Sequence, residues 1–197
     1  MNKIIRKIVY TDLFKFINKI ILSFFFESRY LSGRYFDEER YGYVWAWKCI
    51  FRSFILRRRG IRWPIHELCR LPNGYNIFFD NSSMHIFQQP GCYFQNYHGK
   101  IFIGKDVYIA QNVGLITENH DPDNPKLHLP AKDIRIGDGS WIGMNSVVLP
   151  GVVLGPNTTV GAGSVVTHSF SGNCIVAGNP ARVIKTKEKT CEVSSIK

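Results

Sequence analysis

Between residues 136 and 166 an aliphatic side chain returns at every sixth position: Ile136, Ile142, Val148, Leu154, Val160 and Val166. An α-helix repeats near 3.6 residues and a strand near 2, so neither sustains this spacing alone. A short strand followed by a tight corner does. The hexads run in series as IGDGSW, IGMNSV, VLPGVV, LGPNTT, VGAGSV and VTHSFS. Gly follows the aliphatic residue at 137, 143, 155 and 161. A small or β-branched residue holds the fifth position at Ser140, Ser146, Val152, Thr158 and Ser164, and only Phe170 breaks that rule. We read the aliphatic residue as pointing inward and stacking on its counterparts in the turns above and below. The glycine supplies corner dihedrals that a Cβ forbids, and the small residue lets neighbouring turns approach. Three hexads close one three-sided turn, so these six give two. Ile103-Gly104, Ile109-Ala110 and Leu115 supply about one more. The expected fold is mainly β, a parallel β-helix built by repetition.

The gap from Leu115 to Ile136 is far longer than one hexad, so the surplus must leave the coil as a loop, approximately Thr117–Asp133. Long loops on compact repeat domains are usually functional. This one carries Glu118, Asn119, His120, Asp121, Asp123 and His128. Upstream, residues 64–102 read as degenerate early turns, with β-rich pieces at Asn76–Phe79 and Met84–Phe87. Downstream, Gly178-Asn179-Pro180 turns the chain into a basic tail with Arg182, Lys185, Lys187 and Lys189, and residues 188–197 are expected to be disordered. The organisation is thus a helical N-terminal segment over 1–63, a coil domain over 64–187 with loop 117–133, and the tail.

The formal charge of +10 first suggests nucleic acid. Its distribution does not. Residues 1–63 hold 14 Lys/Arg against 5 Asp/Glu, whereas residues 64–197 hold 11 against 10. No nucleic-acid module accompanies the charge. The N-terminal segment reads as helical pieces broken near Ser32-Gly33-Arg34, and two readings of it stand. It covers an open coil end, whose strand edges need covering. Alternatively it lies on an anionic membrane, with its aromatic residues at headgroup level and Arg57, Arg58 and Arg59 on phosphates. No apolar run reaches the roughly 20 residues of a spanning helix, and no small-residue cleavage site follows Phe26. Five cysteines at 49, 69, 92, 174 and 191 show no metal or redox spacing. A cytoplasmic setting follows, with peripheral contact at the inner membrane face under the second reading.

The stretch IGDGSWIGMNSVVLPGVVLGPNTTVGAGSVVT followed by AGNPARVI resembles the hexapeptide-repeat acyltransferases, over about residues 76–187. That group includes maltose, galactoside, serine and streptogramin acetyltransferases and enzymes that O-acetylate bacterial polysaccharides. The resemblance implies a left-handed coil, although parallel crossovers are usually right-handed. It implies acetyl-CoA as co-substrate, no metal, and a homotrimer with sites between subunits. It places the catalytic base at His120 in TENHDPD, with Asn119 and Asp121 as support or acceptor contacts. An imidazole suits that task near neutral pH. The positions matching the coenzyme A groove are Trp141, Gly143, Met144, Gly161, Ala162, Thr167 and His168, with Arg182 and Lys185 toward the nucleotide phosphates. Many relatives carry Lys where this chain has His168. His128 is the second candidate base; His66, His85, His98 and His168 read as structural or surface residues. The implied acceptor is a sugar hydroxyl, small or lipid-linked, in cell-surface polysaccharide synthesis. N-acetylation of an amino sugar, a zinc-dependent γ-carbonic anhydrase and a non-catalytic coil remain as alternatives.

Overall fold

The computed structural model describes residues 11–187, so the expected disorder of 188–197 lies outside the described residues. Among these residues the N-terminal segment forms the α-helices α1 (Asp12–Ser23), α2 (Tyr41–Cys49) and α3 (Ser53–Arg58). The Thr11 hydroxyl caps α1 by accepting from the Phe14 N–H at 3.2 Å. The break read at Ser32-Gly33-Arg34 is present. Gly33 takes φ 84, and its N–H donates to Asp37 Oδ2 at 2.7 Å. Asp37 also holds Lys19 at 2.7 Å and Lys15 at 3.0 Å. Burial alone raises its pKa, but hydrogen bonds from Lys19, Lys15 and Gly33 together outweigh this and lower the carboxyl to about 2. These contacts tie α1 to the turn that follows it.

The buried side of the segment presents Leu22, Phe26, Tyr30, Phe36, Tyr43, Leu56 and Trp63. Trp63 packs within 4.9 Å of Phe79 and 5.3 Å of Phe87, and Phe87 within 5.5 Å of Phe94, by ring centroids. An aromatic column therefore joins the helices to the first turns of the coil and covers them.

The described residues beyond the helices form short strands, β1 to β13. Side A of the coil stacks β1 (Ile77–Phe79), β3 (Ile101–Ile103), β6 (Ile134–Ile136) and β9 (Val153–Leu154). Side B stacks β4 (Tyr108–Ile109), β7 (Trp141–Ile142), β10 (Thr159–Val160) and β12 (Cys174–Gly178), with β13 (Ala181–Thr186) antiparallel at its edge. Side C stacks β2 (Tyr93–Gln95), β5 (Gly114–Ile116), β8 (Val147–Val148) and β11 (Val165–Val166). Ile136 pairs with Leu154, Ile142 with Val160 and Val148 with Val166, each partner standing three hexads further along the chain. Ile103 pairs with Ile136, well beyond three hexads, so the surplus between them leaves the coil as the spacing required. All six aliphatic residues of the repeat are buried to 3% exposure or less.

The corners correct one part of the sequence reading. The left-handed backbone is at the fourth hexad position, in Gly139, Asn145, Gly151, Asn157 and Gly163, with φ between 57 and 83. Asn and Gly are the residues that tolerate it. The second-position glycine answers a different demand, close approach. A Cβ on Gly143 would stand 2.6 Å from the Ala162 nitrogen in the next turn. The fifth-position residues do pack between turns, and their hydroxyls also satisfy corner backbone. Ser146 Oγ donates to Gly161 O at 2.9 Å, and Ser164 Oγ accepts from Gly178 N–H at 3.1 Å.

A second correction concerns Met84–Phe87, expected as a β-rich piece. It lies inside a 3₁₀ run over Asn81–Gln88. Asp80 caps that run by accepting from Ser82 N–H, and Ser83 Oγ donates to Gly104 O while accepting from Val107 N–H. Local side-chain bonds of this kind compete with strand pairing.

Candidate active site

The chain passes from side A to B to C and back to A, so the coil has three edges. The loop leaves at the C–A edge, after β5, and returns at β6. Its neck is closed by Lys132 N–H donating to Thr117 O at 2.8 Å. Thr117 is fully buried and fixed by Gln95: its N–H and hydroxyl both reach Gln95 Oε1, at 2.8 and 3.1 Å. Beyond the neck the loop folds on itself as a short hairpin. Leu129 N–H donates to Asn119 O at 2.8 Å, Asp121 N–H donates to Leu127 O at 2.9 Å, and His120 bridges to His128.

His120 is exposed near the tip of this hairpin. Its Nδ1 lies 2.7 Å from the Pro125 carbonyl oxygen. A carbonyl can only accept, so in the neutral ring Nδ1 carries the proton and Nε2 keeps its lone pair. The ring packs against His128 at 4.2 Å between centroids. Asp121 braces the turn of this hairpin. Its Oδ1 accepts from Asp123 N–H at 2.8 Å and Asn124 N–H at 3.4 Å, which holds the turn that places Pro125. Asn119 contributes its backbone carbonyl to the same hairpin.

Sequence reasoning passed over one pair on this edge. Glu118 is buried, and its Oε2 lies 2.8 Å from Nδ1 of His98, an otherwise exposed side chain. Oε1 accepts from Gln95 Nε2 at 3.2 Å. His98 sits at the C–A corner of the preceding turn, below the loop neck. The available signal was Glu118 itself: a carboxylate at the point where a loop leaves a packed coil needs a partner.

The remaining candidates fall on other parts of the prism. Gly143, Met144, Gly161 and Ala162 cluster at the B–C edge, where Gly163 N–H donates to Met144 O at 2.8 Å. Trp141 stands exposed beside them on side B. Gly163 has nothing within 4 Å of the place a Cβ would occupy and is flanked by the exposed Met144 and Ala162, whereas Gly143 is buried against the next turn. Thr167 and His168 lie on the C–A edge beyond the loop and contact each other at 3.1 Å. Arg182 and Lys185 are exposed on β13, opposite Ala177 and Ile175. Within one chain the His120 loop and the Gly143–Ala162 cluster therefore occupy different edges. Two clefts of about 360 and 490 Å³ open near Trp63 and His66, and neither touches His120. Among the described residues no three His, Cys, Asp or Glu side chains converge as a metal's ligands would. Burial raises the thiols of Cys49, Cys69 and Cys92.

Comparison with known proteins places this geometry. Residues 133–168 match the family described as bacterial transferase hexapeptide (six repeats). A galactoside O-acetyltransferase of Escherichia coli (strain K12) is 40% identical over 89 residues, 43% of each chain. A maltose O-acetyltransferase from Clostridium difficile 630 superposes with a TM-score of 0.51 at 26% identity, covering 95% of this chain and 90% of that one. A hexapeptide-repeat acetyltransferase from Vibrio cholerae O1 biovar eltor, complexed with acetyl coenzyme A, gives 0.50 at 26% identity, over 58% and 62%. The chain spans about half the length of the curated relatives it matches, from 42% to 60%. The left-handed parallel β-helix of these proteins is the fold seen here.

Proposed function

We propose that this chain, which carries the hexapeptide repeat of bacterial transferases, is an acetyl-CoA-dependent O-acetyltransferase acting on a sugar hydroxyl in cell-surface polysaccharide synthesis. The observation that carries the reading is the 2.7 Å contact of His120 Nδ1 with the Pro125 carbonyl, which assigns the proton of the neutral ring to Nδ1 and leaves the Nε2 lone pair for the acceptor's proton. The acetyltransferase relatives and the acetyl coenzyme A complex of a similar coil support the reaction class.

In this mechanism His120 Nε2 takes the proton of the acceptor hydroxyl as its oxygen attacks the thioester carbonyl. The resulting imidazolium is stabilised at Nδ1–H by Pro125 O and returns the proton to the departing thiolate. Transfer is direct. Among the described residues the four cysteines are buried, and burial raises the thiols of Cys49, Cys69 and Cys92, so none is an activated nucleophile at the loop. The open backbone at Gly163, flanked by the exposed Met144 and Ala162, fits a narrow pantetheine arm, and Gly143 and Gly161 beneath it let the turns that form this edge approach closely. Trp141 lines its side and Arg182 and Lys185 serve the nucleotide end, while Thr167 and His168, on the edge that carries the His120 loop, would meet a cofactor held by a neighbouring copy. Because the base and this groove lie on different edges of one prism, the complete site forms between neighbouring copies. A homotrimer supplies that arrangement, and a cytoplasmic location supplies acetyl-CoA.

The test is thiol release from acetyl-CoA with a sugar acceptor. His120→Ala is expected to lower kcat by roughly 10²–10⁴-fold while leaving acetyl-CoA affinity within a few fold. Undiminished turnover in that variant would remove His120 from the mechanism.

A further inference from the structure

The first helix is apolar on two faces. Its inner face buries Leu22 and Asn18 and half-buries Phe14, and Phe25 beyond its end is half-buried too. Its outer face exposes Leu13 (67%), Phe16 (63%), Ile17, Ile20, Ile21 and Phe24 (72%). These six recur at intervals of three and four, so they form one stripe of a helix. A second stripe runs over α2 and α3: Tyr41, Val44, Trp47, Phe51 (92%), Phe54 (69%) and Ile55. The two helical layers touch. Trp47 Nε1 donates to Asn18 Oδ1 at 2.7 Å, and the Phe25 and Phe54 rings lie 6.3 Å apart. Scattered exposed apolar residues are ordinary, but large ones gathered in two adjoining stripes mark a surface that meets a partner.

The charge beside the stripes indicates which partner. Lys15 and Lys19 border the α1 stripe but are already engaged by Asp37. The α2–α3 stripe carries Lys48, Arg58 and Arg59, all exposed, and among the described residues no salt bridge engages them. Residues 41–63 contain no acidic residue at all. Asp12 and the lysine-paired Asp37 stand beside the α1 stripe, so the net positive edge belongs to α2–α3. An aromatic and aliphatic surface with such a cationic edge matches the acyl–headgroup boundary of an anionic bilayer.

We propose that the outer faces of α1 and α2–α3 dock this protein on anionic lipid, leaving the coil projecting into solution. Covering the coil and binding lipid are then not competing roles. The buried face does the first and the exposed face the second. No helix among the described residues is long and apolar enough to cross a membrane, so the contact is interfacial.

The test is sedimentation of the full chain with vesicles of phosphatidylcholine alone or mixed equally with phosphatidylglycerol. Binding is expected to the mixed vesicles and to weaken as salt rises. Lys48→Gln, Arg58→Gln and Arg59→Gln together should weaken it about a hundredfold, from about fivefold for each cation near such a surface. Phe16→Ser, Phe24→Ser and Phe51→Ser together should abolish it without moving the thermal midpoint or the assembly size, because none of the three is buried. Equal binding to both vesicle types would overturn the proposal. Absence of binding to either would do the same. A smaller assembly in the triple serine variant would show instead that a second copy occupies it.

Discussion

Gly143→Ala and Gly163→Asn should have opposite outcomes, although both replace a glycine of the same repeat. At Gly143 the added Cβ would meet Ala162 N at 2.6 Å, Val160 O at 2.7 Å and Ala162 Cα at 2.9 Å. Ordinary contacts begin at about 3.5 Å, so the overlap approaches about 0.9 Å. All three atoms are backbone of the next turn and cannot rotate away. Relief requires the turns to separate, which stretches Gly143 N–H to Val160 O (2.8 Å) and Trp141 N–H to Thr158 O (2.9 Å). Overpacking of this kind costs about 1–3 kcal/mol, and a backbone-limited clash belongs at about 3. For a chain of this size that lowers Tm by about 6–12 °C. Gly163 has φ +71 and nothing within 4 Å of its Cβ position. Asn145 and Asn157 hold the same corner position at φ 61 and 57. Asn there should move Tm by no more than about 2 °C, the left-handed strain being offset by lost freedom of the unfolded chain. Thermal unfolding followed by circular dichroism at equal concentrations measures both. A Gly163→Asn loss equal to that of Gly143→Ala would refute the division between corner conformation and inter-turn approach.

His85 is half-buried, with its Nδ1 against the Tyr35 hydroxyl at 2.8 Å. Burial, with a smaller contribution from Arg34, lowers its pKa from the ordinary 6.5. The unfolded chain then binds the extra proton first, so its contribution to stability is complete above pH 6.5 and is lost as pH falls below it. Tm should drop as the solution is acidified from above that value to below it, and His85→Gln should flatten that dependence. Glu118→Leu leaves the Gln95 amide short of an acceptor and should destabilise by about 1–3 kcal/mol in denaturant titration. Glu118→Gln, which keeps an oxygen at that place, should cost less.

The coil was legible because its forces are local and repeated. One inward aliphatic residue per side, a corner residue and a small fifth position recur at fixed spacing, and the surplus between Leu115 and Ile136 can only be a loop. The role of each glycine was not legible, since Gly satisfies a positive φ and a close approach equally well in a string of letters. Asn145 and Asn157 at the fourth position carried the distinction. His120 was readable from its loop, but the Pro125 carbonyl that fixes its tautomer depends on a hairpin whose register comes from Asp121 capping the turn. The His98–Glu118 pair joins positions distant in the chain through the stacking of one turn on the next. The 3₁₀ run at Asn81–Gln88 was missed because the early turns depart from the period of six.

A stack of parallel turns has no intrinsic length, since each finished turn presents the same unpaired edge to the next layer, whether from its own chain or a stranger's. The hairpin from β12 into β13 ends that growth on side B by reversing strand direction. Its outer strand is exposed and carries Arg182 and Lys185, and its end is pinned where Lys187 Nζ donates to Asn157 O and Thr159 Oγ1, both at 2.8 Å. Helices pack over the opposite end, so among the described residues the coil carries an added element at each end. Truncation before Ala181 would bare the β12 edge as a template for stacking, with turbidity rising with concentration.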